Sequence, residues 1–177
     1  MRSSQANRGR IWEEQLNRLH AQWASSGRAV VHRNYPEVKV KRDKKGSICG
    51  ADFRGQGAPD FTIIAAGRVM VADAKSSQDP RWALRLLHPH QANSFDAVES
   101  QGGLSLLLIN TPEGSWAVPW SAAGPRWRRW FTGKAERGEA SLTAEWMTTH
   151  AIAHAPKGRI LDYLQPALHH MRQRRAA

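Results

Sequence analysis

Residues 58–75 of the chain read APDFTIIAAGRVMVADAK, with strand-forming residues on both sides of Ala66-Gly67. A two-residue loop at Ala66-Gly67 joins the flanking segments as a β-hairpin. In the register that this loop sets, Asp60 lies directly opposite Asp73. The sequence therefore predicts two neighbouring carboxylates at the open end of a hairpin.

The two acids share one face of this hairpin with Lys75, because side chains alternate between the faces of a sheet. Directly paired side chains have Cβ atoms roughly 4.5–5.5 Å apart, and like charges at that range are destabilising. A hard divalent cation such as Mg²⁺ or Mn²⁺ would offset the repulsion. The Lys75 ammonium would then orient an attacking water or offset charge on a phosphate. The spacing leaves one alternative open, a surface hairpin with solvated acids and a lysine paired to one of them.

The composition of the chain indicates a nucleic-acid partner. Its 177 residues are enough for one domain with a substantial core. The 26 Lys and Arg against 15 Asp and Glu give a formal charge of +11, for which a polyanionic partner is expected. The basic residues are spread along the chain instead of following one face of an amphipathic helix, so we expect no membrane partner.

Signals for targeting and for cofactors are few. No run of about 18 apolar residues is present, and residues 1–10 lack the apolar core of a signal peptide, so we expect a cytoplasmic protein. Cys49 is the single cysteine, which excludes an internal disulfide and a thiolate zinc cluster. The histidines show no zinc-motif spacing. We expect neither a structural metal nor a small-molecule cofactor.

Two segments precede the hairpin. Apolar residues recur at helical spacing from Ile11 to Trp23 and predict a first helix. Glu13 lies beside this apolar stripe, either as a solvated acid or pointing along the core edge toward the sheet. Residues 36–58, here called the basic arm, are rich in lysine and glycine and predict a flexible loop between two strands. The arm is either a solvated charged segment or a mobile element that binds phosphates.

The second half of the chain predicts the packing elements. A helix is expected from Pro89, with Gln91 in its first turn. Residues 104–110 (LSLLLIN) form a predominantly apolar run that fits a buried central strand. Two further helices are expected in the last third, and residues 172–177 have the composition of a disordered basic tail.

Six short segments occur in an order that is hard to obtain by chance. They are 7–17 (NRGRIWEEQLN), 58–61 (APDF), 71–75 (VADAK), 88–91 (HPHQ), 101–109 (QGGLSLLLI) and 155–163 (APKGRILDY). In content and order they resemble the PD-(D/E)xK nuclease superfamily, and within it the RecU-type Holliday-junction resolvases. The resemblance extends over most of the chain.

The resemblance implies an α/β, restriction-endonuclease-like fold, in which a central mixed β-sheet is flanked by helices and a basic loop protrudes. Residues 1–177 would form a single nuclease domain. The catalytic residues it implies are Glu13, Asp60, Asp73, Lys75 and Gln91, and the metal ligands are Asp60, Asp73 and Glu13. By the same resemblance Lys75 would position the water and Gln91 would support the metal or the phosphate. Mg²⁺ is the expected cofactor, with Mn²⁺ as a substitute.

The resemblance also implies the partners. Branched DNA in the form of a four-way junction is the expected substrate, and the basic arm corresponds to the family's stalk, which enters the open centre of the junction. Family members act as homodimers, which suits a reaction that needs two symmetric nicks. The residues expected to bind DNA are Arg8, Arg10, Lys39, Lys41, Arg42, Lys44, Lys45, Arg54, Arg81 and Arg85.

The implied function is a structure-selective, metal-dependent endonuclease that resolves Holliday junctions by paired symmetric nicks through phosphodiester hydrolysis. The chain departs from the family in two places: it has Asp73 where the family usually has Glu, and its arm is shorter and richer in glycine. Two alternatives stay open. One is a repair or restriction-type endonuclease of the same fold that acts on other DNA forms, and the other is a non-catalytic DNA-binding protein.

Overall fold

The computed structural model describes the backbone of residues 5–35, 37–54 and 58–176. The helices are α1 (Gln5–Ser25), α2 (Pro89–Ser100), α3 (Trp120–Phe131), α4 (Ala144–His150) and α5 (Leu164–Ala176). The strands are β1 (Val30–Arg33), β2 (Glu37–Arg42), β3 (Ile48–Arg54), β4 (Phe61–Ala65), β5 (Arg68–Ser76), β6 (Arg81–Ala83), β7 (Leu104–Thr111), β8 (Gly114–Pro119), β9 (Ser141–Thr143) and β10 (Ala153–Pro156). Within the described ranges, no helix has the length and apolar character needed to cross a membrane.

A mixed sheet in the order β1-β4-β5-β7-β8-β10 forms the centre of the fold. β5 and β7 are parallel, and the other neighbouring strands are antiparallel. Ala65 pairs with Arg68 across the β4-β5 hairpin, so the predicted two-residue loop is confirmed. Ala66 and Gly67 have φ of 49° and 68°, the left-handed values that a type I′ turn requires. This turn fixes the register of the two strands that carry the acids.

β7 separates two hydrophobic cores and is the central strand that the sequence predicts. Leu106 and Leu108 belong to the core under α1 and α5, whereas Leu107 and Ile109 belong to the core under α2, α3 and α4. Each of these side chains is fully buried, which stabilises the fold by about 1.5–3 kcal/mol per side chain. The indole Nε1 of Trp12 donates to the carbonyl of Leu108 at 3.0 Å and fixes α1 across the sheet. The predicted α/β class, a central mixed sheet flanked by helices, is confirmed.

The basic arm differs from the predicted loop, because β2 and β3 form an antiparallel two-stranded ribbon separate from the central sheet. Lys39 pairs with Asp52 and Lys41 with Gly50 in its register. The side chains of Val38 and Val40 are each almost half exposed. None of the described side chains of β2 and β3 is buried, so this part of the ribbon lacks the pattern that usually identifies strands in a sequence.

The C-terminal segment also differs from the prediction. α5 continues to Ala176, where the sequence predicts a disordered tail from residue 172. Leu168 and Met171 are buried against the first core. Arg174 pairs with Glu99 of α2 at 3.0 Å. These contacts attach the last turns of the helix to the domain.

Candidate active site

Three elements bring the predicted site residues together at one end of the sheet. Asp60 immediately precedes β4, and Asp73 and Lys75 lie in the second half of β5. Gln91 lies in the first turn of α2, which packs over β5 and β7. The hairpin register places Phe61 opposite Ala72, so Asp60 follows opposite Asp73 as the sequence predicts.

Asp60 and Asp73 are linked through each other's backbone. The amide of Ala74 donates to Asp60 Oδ2 at 2.7 Å, and the amide of Asp60 faces Asp73 Oδ1 at 3.4 Å. Burial, followed by the charge of Asp73, raises the pKa of Asp60 to about 7. The pair therefore carries a repulsion that the protein alone leaves partly uncompensated.

Asp73 is the buried member of the pair, with only 1% of its surface exposed. Its Oδ2 accepts from Lys75 Nζ at 2.6 Å and from Gln91 Nε2 at 2.9 Å. Gln91 Oε1 in turn accepts from the amide of His88 at 3.1 Å. Because both ends of the Gln91 amide are bonded, this side chain holds Asp73 in one orientation.

Glu13 lies apart from this cluster in the structure. Its carboxylate accepts from the guanidinium of Arg33, at the end of β1, and about a third of each side chain is exposed. Among the described residues, no three His, Cys, Asp or Glu side chains come close enough to hold a metal ion together. The predicted role of Glu13 as a third ligand therefore stays a prediction.

The chemistry of the Asp60-Asp73 pair fits a hard divalent cation. Carboxylate oxygens are the ligands that Mg²⁺ and Mn²⁺ prefer, and Mg²⁺ is commonly held by one or two carboxylates together with water and substrate phosphates. The hydrogen bonds of Ala74, Lys75 and Gln91 all go to the Oδ2 atoms of the two acids. A cation would also favour the charged form of Asp60, whose pKa is raised by burial first and by the charge of Asp73 second.

The predicted DNA-binding residues occupy several surfaces. Lys39, Lys44 and Lys45 are exposed on the basic arm, where Lys41 pairs with Asp52 at 2.7 Å and Arg42 donates to the carbonyl of Gly46 at 2.8 Å. Arg10 pairs with Glu14 on α1. The side chains of Arg8 and Arg54 lie outside the described part of the structure.

A cleft of about 490 Å³ begins directly after Lys75, between the loop that follows β5 and the segment before α2. Ser77 fixes the loop, because its Oγ donates to the carbonyl of Arg81 at 2.8 Å and accepts from the amide of Asp79 at 3.1 Å. Arg85 lines the opposite wall with an exposed side chain. The cleft therefore carries an exposed cation, Arg85, and its lining begins at Ser76, the residue directly after Lys75.

Asn34 is a site residue that the sequence does not identify. It directly follows β1, and its side chain donates to the carbonyl of Pro59 at 2.6 Å and to Thr62 Oγ1 at 3.0 Å. Its backbone amide donates to the carbonyl of Asp60 at 2.8 Å. The only signal in the sequence is a polar residue at a strand end, and the pairing of β1 with β4 is needed to place it beside Asp60.

Comparison with known proteins shows the family. The model of the family described as Recombination protein U, or RecU, matches residues 7–169. The chain belongs to the RecU family. The matched range of this RecU family member contains Asp60, Asp73, Lys75, Gln91 and Glu13.

The RecU family relatives in the comparison are distant in sequence. A protein named Holliday junction resolvase RecU from Bacillus pumilus (strain SAFR-032) is 26% identical over 133 residues, which cover 72% of this chain and 65% of that protein. A protein of the same name from Streptococcus pneumoniae (strain Hungary19A-6) is 26% identical over 111 residues, covering 59% of this chain and 56% of that protein. The chain thus spans less than two thirds of the length of these relatives.

Among solved structures, Hjc of Archaeoglobus fulgidus is similar to this RecU family chain, with a TM-score of 0.46 and 10% sequence identity. Hjc is described as a Holliday junction resolvase from an archaeal hyperthermophile. The superposition covers 78% of this chain and 93% of Hjc.

Proposed function

We propose that this protein is a structure-selective, metal-dependent endonuclease, acting as a single nuclease domain, that resolves Holliday junctions by paired symmetric nicks. The observation that carries the proposal is the Asp60-Asp73 pair with Lys75 bonded to Asp73 at 2.6 Å. Membership of the RecU family and relatives named Holliday junction resolvase support the choice of substrate.

The metal would be held by Asp60 and Asp73, with Mg²⁺ expected and Mn²⁺ as a substitute. When bound, such a cation supplies positive charge that stabilises the transition state of phosphodiester hydrolysis. Gln91 holds the Asp73 carboxylate in a fixed orientation through its bond of 2.9 Å. Glu13 completes the acidic site in this proposal, which requires its carboxylate to leave Arg33.

Lys75 contributes a second positive charge to the reaction. Its ammonium has three N–H donors, one of which is used by Asp73. The remaining donors are available to orient the attacking water in line with the scissile bond and to neutralise charge on a phosphate oxygen. Its side chain is 16% exposed, so it combines access to substrate with a low-dielectric setting that strengthens these interactions.

Selection of branched DNA would rest on shape instead of base sequence. The exposed lysines of the basic arm and the arginines beside the candidate active site suit contacts with phosphates, which position a duplex without reading its bases. Arg85, which lines the cleft, and Arg81, which is exposed on β6, would contact the strand on one side of the scissile bond. The proposed enzyme acts as a homodimer, because two symmetric nicks need two active sites related by a two-fold axis.

The test is a cleavage assay with a labelled four-way junction and a linear duplex of the same sequence, each incubated with Mg²⁺, Mn²⁺ or EDTA. The proposal requires paired, symmetric nicks in the junction alone, dependent on the metal. Equal cutting of the two substrates would replace the proposal by a general nuclease of repair or restriction type. Tight binding of the junction without cutting would replace it by a non-catalytic DNA-binding protein.

A further inference from the structure

Asn34 makes three hydrogen bonds that converge on the segment carrying Asp60. Its amide Nδ2 donates to the carbonyl of Pro59 at 2.6 Å and to Thr62 Oγ1 at 3.0 Å, and its backbone amide donates to the carbonyl of Asp60 at 2.8 Å. The bonded residues are therefore the candidate metal ligand itself, the residue directly before it and the residue two positions after it.

The orientation of the Asn34 amide follows from chemistry. The carbonyl of Pro59 can only accept a hydrogen bond, so the nitrogen of the side chain has to face it. Pro59 is buried, and an unpaired carbonyl there would cost about 1–3 kcal/mol. A carboxylate in place of this amide would set two acceptors against each other at the same position.

These bonds act on a part of the backbone that the sheet itself does not hold. β4 begins at Phe61, which pairs with Arg33 on one side and Ala72 on the other, so Asp60 lies just beyond the last strand pair. On the β5 side, the last strand pair is that of Phe61 with Ala72. Beyond it, the Asp60 carboxylate accepts a hydrogen bond from the backbone amide of Ala74 at 2.7 Å. On the β1 side, Asn34 supplies the remaining bonds.

Asn34 also lies where the basic arm leaves the domain. The arm starts two residues after Asn34, and Pro59 directly follows its last residue. The bond between Asn34 and Pro59 therefore closes the base of the arm, and Asp60 is the next residue along the chain.

From this geometry we infer that Asn34 is a positioning residue for the proposed nuclease reaction. It orients Asp60 toward Asp73 by clamping the Pro59-Asp60 segment at the base of the arm. It acts through Asp60 and touches neither metal nor DNA. The inference rests on the proposed function for its catalytic meaning, whereas the clamp itself is measurable in the metal-free protein.

The test uses Asn34→Ala, which removes the side-chain bonds, and Asn34→Asp, which keeps the shape but replaces the donor with an acceptor. Thr62→Val is the partial control, because it removes one acceptor and leaves the bond to Pro59. Asn93→Asp is the matched control for charge, since Asn93 is exposed on α2. If Asn34→Asp does not fold, Asn34→Ala and Thr62→Val still give the comparison.

The first readout is hydrogen exchange of the Ala74 amide in the metal-free protein, because its bond to Asp60 reports the position of that carboxylate. The second is the affinity for Mn²⁺ measured by calorimetry without DNA. We expect at least about tenfold faster exchange at Ala74 and about 10–100-fold weaker Mn²⁺ binding in the Asn34 variants, the range typical of residues that orient a ligand. Asn93→Asp should stay within about threefold of the parent protein, whereas Thr62→Val, which removes one bond of the clamp, should fall between the parent protein and Asn34→Ala.

Two results would overturn the inference. The first is unchanged Mn²⁺ affinity and Ala74 exchange in folded Asn34→Ala. The second is equal loss of protection at every amide of the sheet, which would mean a general loss of stability. Failure of the proposed function is a separate result: it would appear as absence of junction cleavage in the parent protein, with the effects on Ala74 and Mn²⁺ still present.

Discussion

Asp60 and Lys75 share the candidate site but have different expected roles. Asp60 faces Asp73 across the hairpin end and carries a raised pKa, because burial and the neighbouring charge oppose its ionisation. Lys75 neutralises Asp73 directly at 2.6 Å. Asp60 is therefore placed to bind a cation, and Lys75 is placed to neutralise negative charge.

We predict that Asp60→Asn and Lys75→Ala each lower junction cleavage by about 10³-fold or more, because each removes a group required at the transition state. Junction binding in EDTA should change by about threefold at most, since most binding energy comes from phosphate contacts elsewhere. Gel assays of cleavage and binding on the same junction give both numbers.

Asp162→Asn is the matched control for Asp60→Asn, because Asp162 is exposed and pairs with Arg28 away from the site. Its cleavage rate should equal that of the parent protein. A parallel loss of binding and cleavage in the Asp60 and Lys75 variants would argue that these residues hold the fold or the DNA instead of performing chemistry.

His20 gives a prediction about stability that is independent of the site. It is 4% exposed, its Nε2 lies 2.6 Å from the hydroxyl of Tyr163, and burial lowers its pKa from 6.5 to about 4. The unfolded chain therefore takes up a proton at higher pH than the folded protein does. The contribution of His20 to stability is complete above pH 6.5 and falls as the pH drops toward 4, by about 3 kcal/mol in total.

Thermal unfolding at pH 7 and pH 4.5 measures this effect. We expect the loss of melting temperature between the two pH values to be clearly smaller in His20→Gln than in the parent protein. His32→Gln, at an exposed position of β1, should keep the full loss. The same pH dependence in His20→Gln and the parent protein would show that other groups cause the acid sensitivity.

Among the helices and strands, the β4-β5 hairpin and the central strand β7 are the elements that the sequence predicts best. The left-handed turn at Ala66-Gly67 leaves little freedom in register, so the opposition of Asp60 and Asp73 follows from counting residues. The stretch from Leu104 to Asn110 is apolar except for Ser105 and Asn110, and it predicts its own burial because a strand covered on both faces carries apolar residues on both. These are local signals, and local signals are readable in one sequence.

The elements that the sequence does not predict depend on contacts between distant segments. β6 pairs with β9 although about sixty residues separate Arg81 from its partner Thr143. The clamp of Asn34 on Pro59 likewise exists only once β1 lies beside β4. In the basic arm, basic and apolar residues alternate along β2, and none of the described side chains of β2 and β3 is buried, so the sequence predicts a loop there. The glycine and lysine content of the basic arm thus predicts a flexible loop, whereas its backbone forms a two-stranded ribbon.

The ribbon form of the basic arm sharpens a prediction about DNA binding. Replacing Lys39, Lys41, Arg42, Lys44 and Lys45 together by Gln should weaken junction binding at least about tenfold, because phosphate contacts dominate affinity. The slope of log affinity against log salt concentration should become shallower by about 0.9 for each phosphate that the arm no longer neutralises. Binding titrations over a range of salt concentrations measure both quantities.

The control for the arm is the double variant Lys157→Gln and Arg159→Gln. These exposed residues follow β10, at the opposite edge of the sheet from β1, which leads into the arm. Their replacement should affect the salt slope less per charge than replacement of the arm lysines does. An unchanged slope in the arm variant would remove the arm from the DNA-binding surface.

For the whole molecule, one chain supplies one set of the proposed catalytic groups. Asp60, Asp73 and Lys75 come from a single hairpin, and Gln91 comes from the same chain. Resolution of a four-way junction needs two nicks on opposite strands. If each chain makes one nick, a complex of two chains is the smallest unit that completes the reaction on a bound junction.

A mixed dimer tests this arrangement directly. Chains with two different tags, one carrying Asp60→Asn, are produced together, and the complex that holds both tags is purified. On a plasmid with an extruded cruciform, the parent protein should give linear product, because both nicks occur before the complex dissociates. The mixed dimer should give nicked circles, since only one of its two sites is active. Linear product at the parental rate, or no complex with both tags in the presence of junction DNA, would show that the protein does not act as a dimer with one active site per chain.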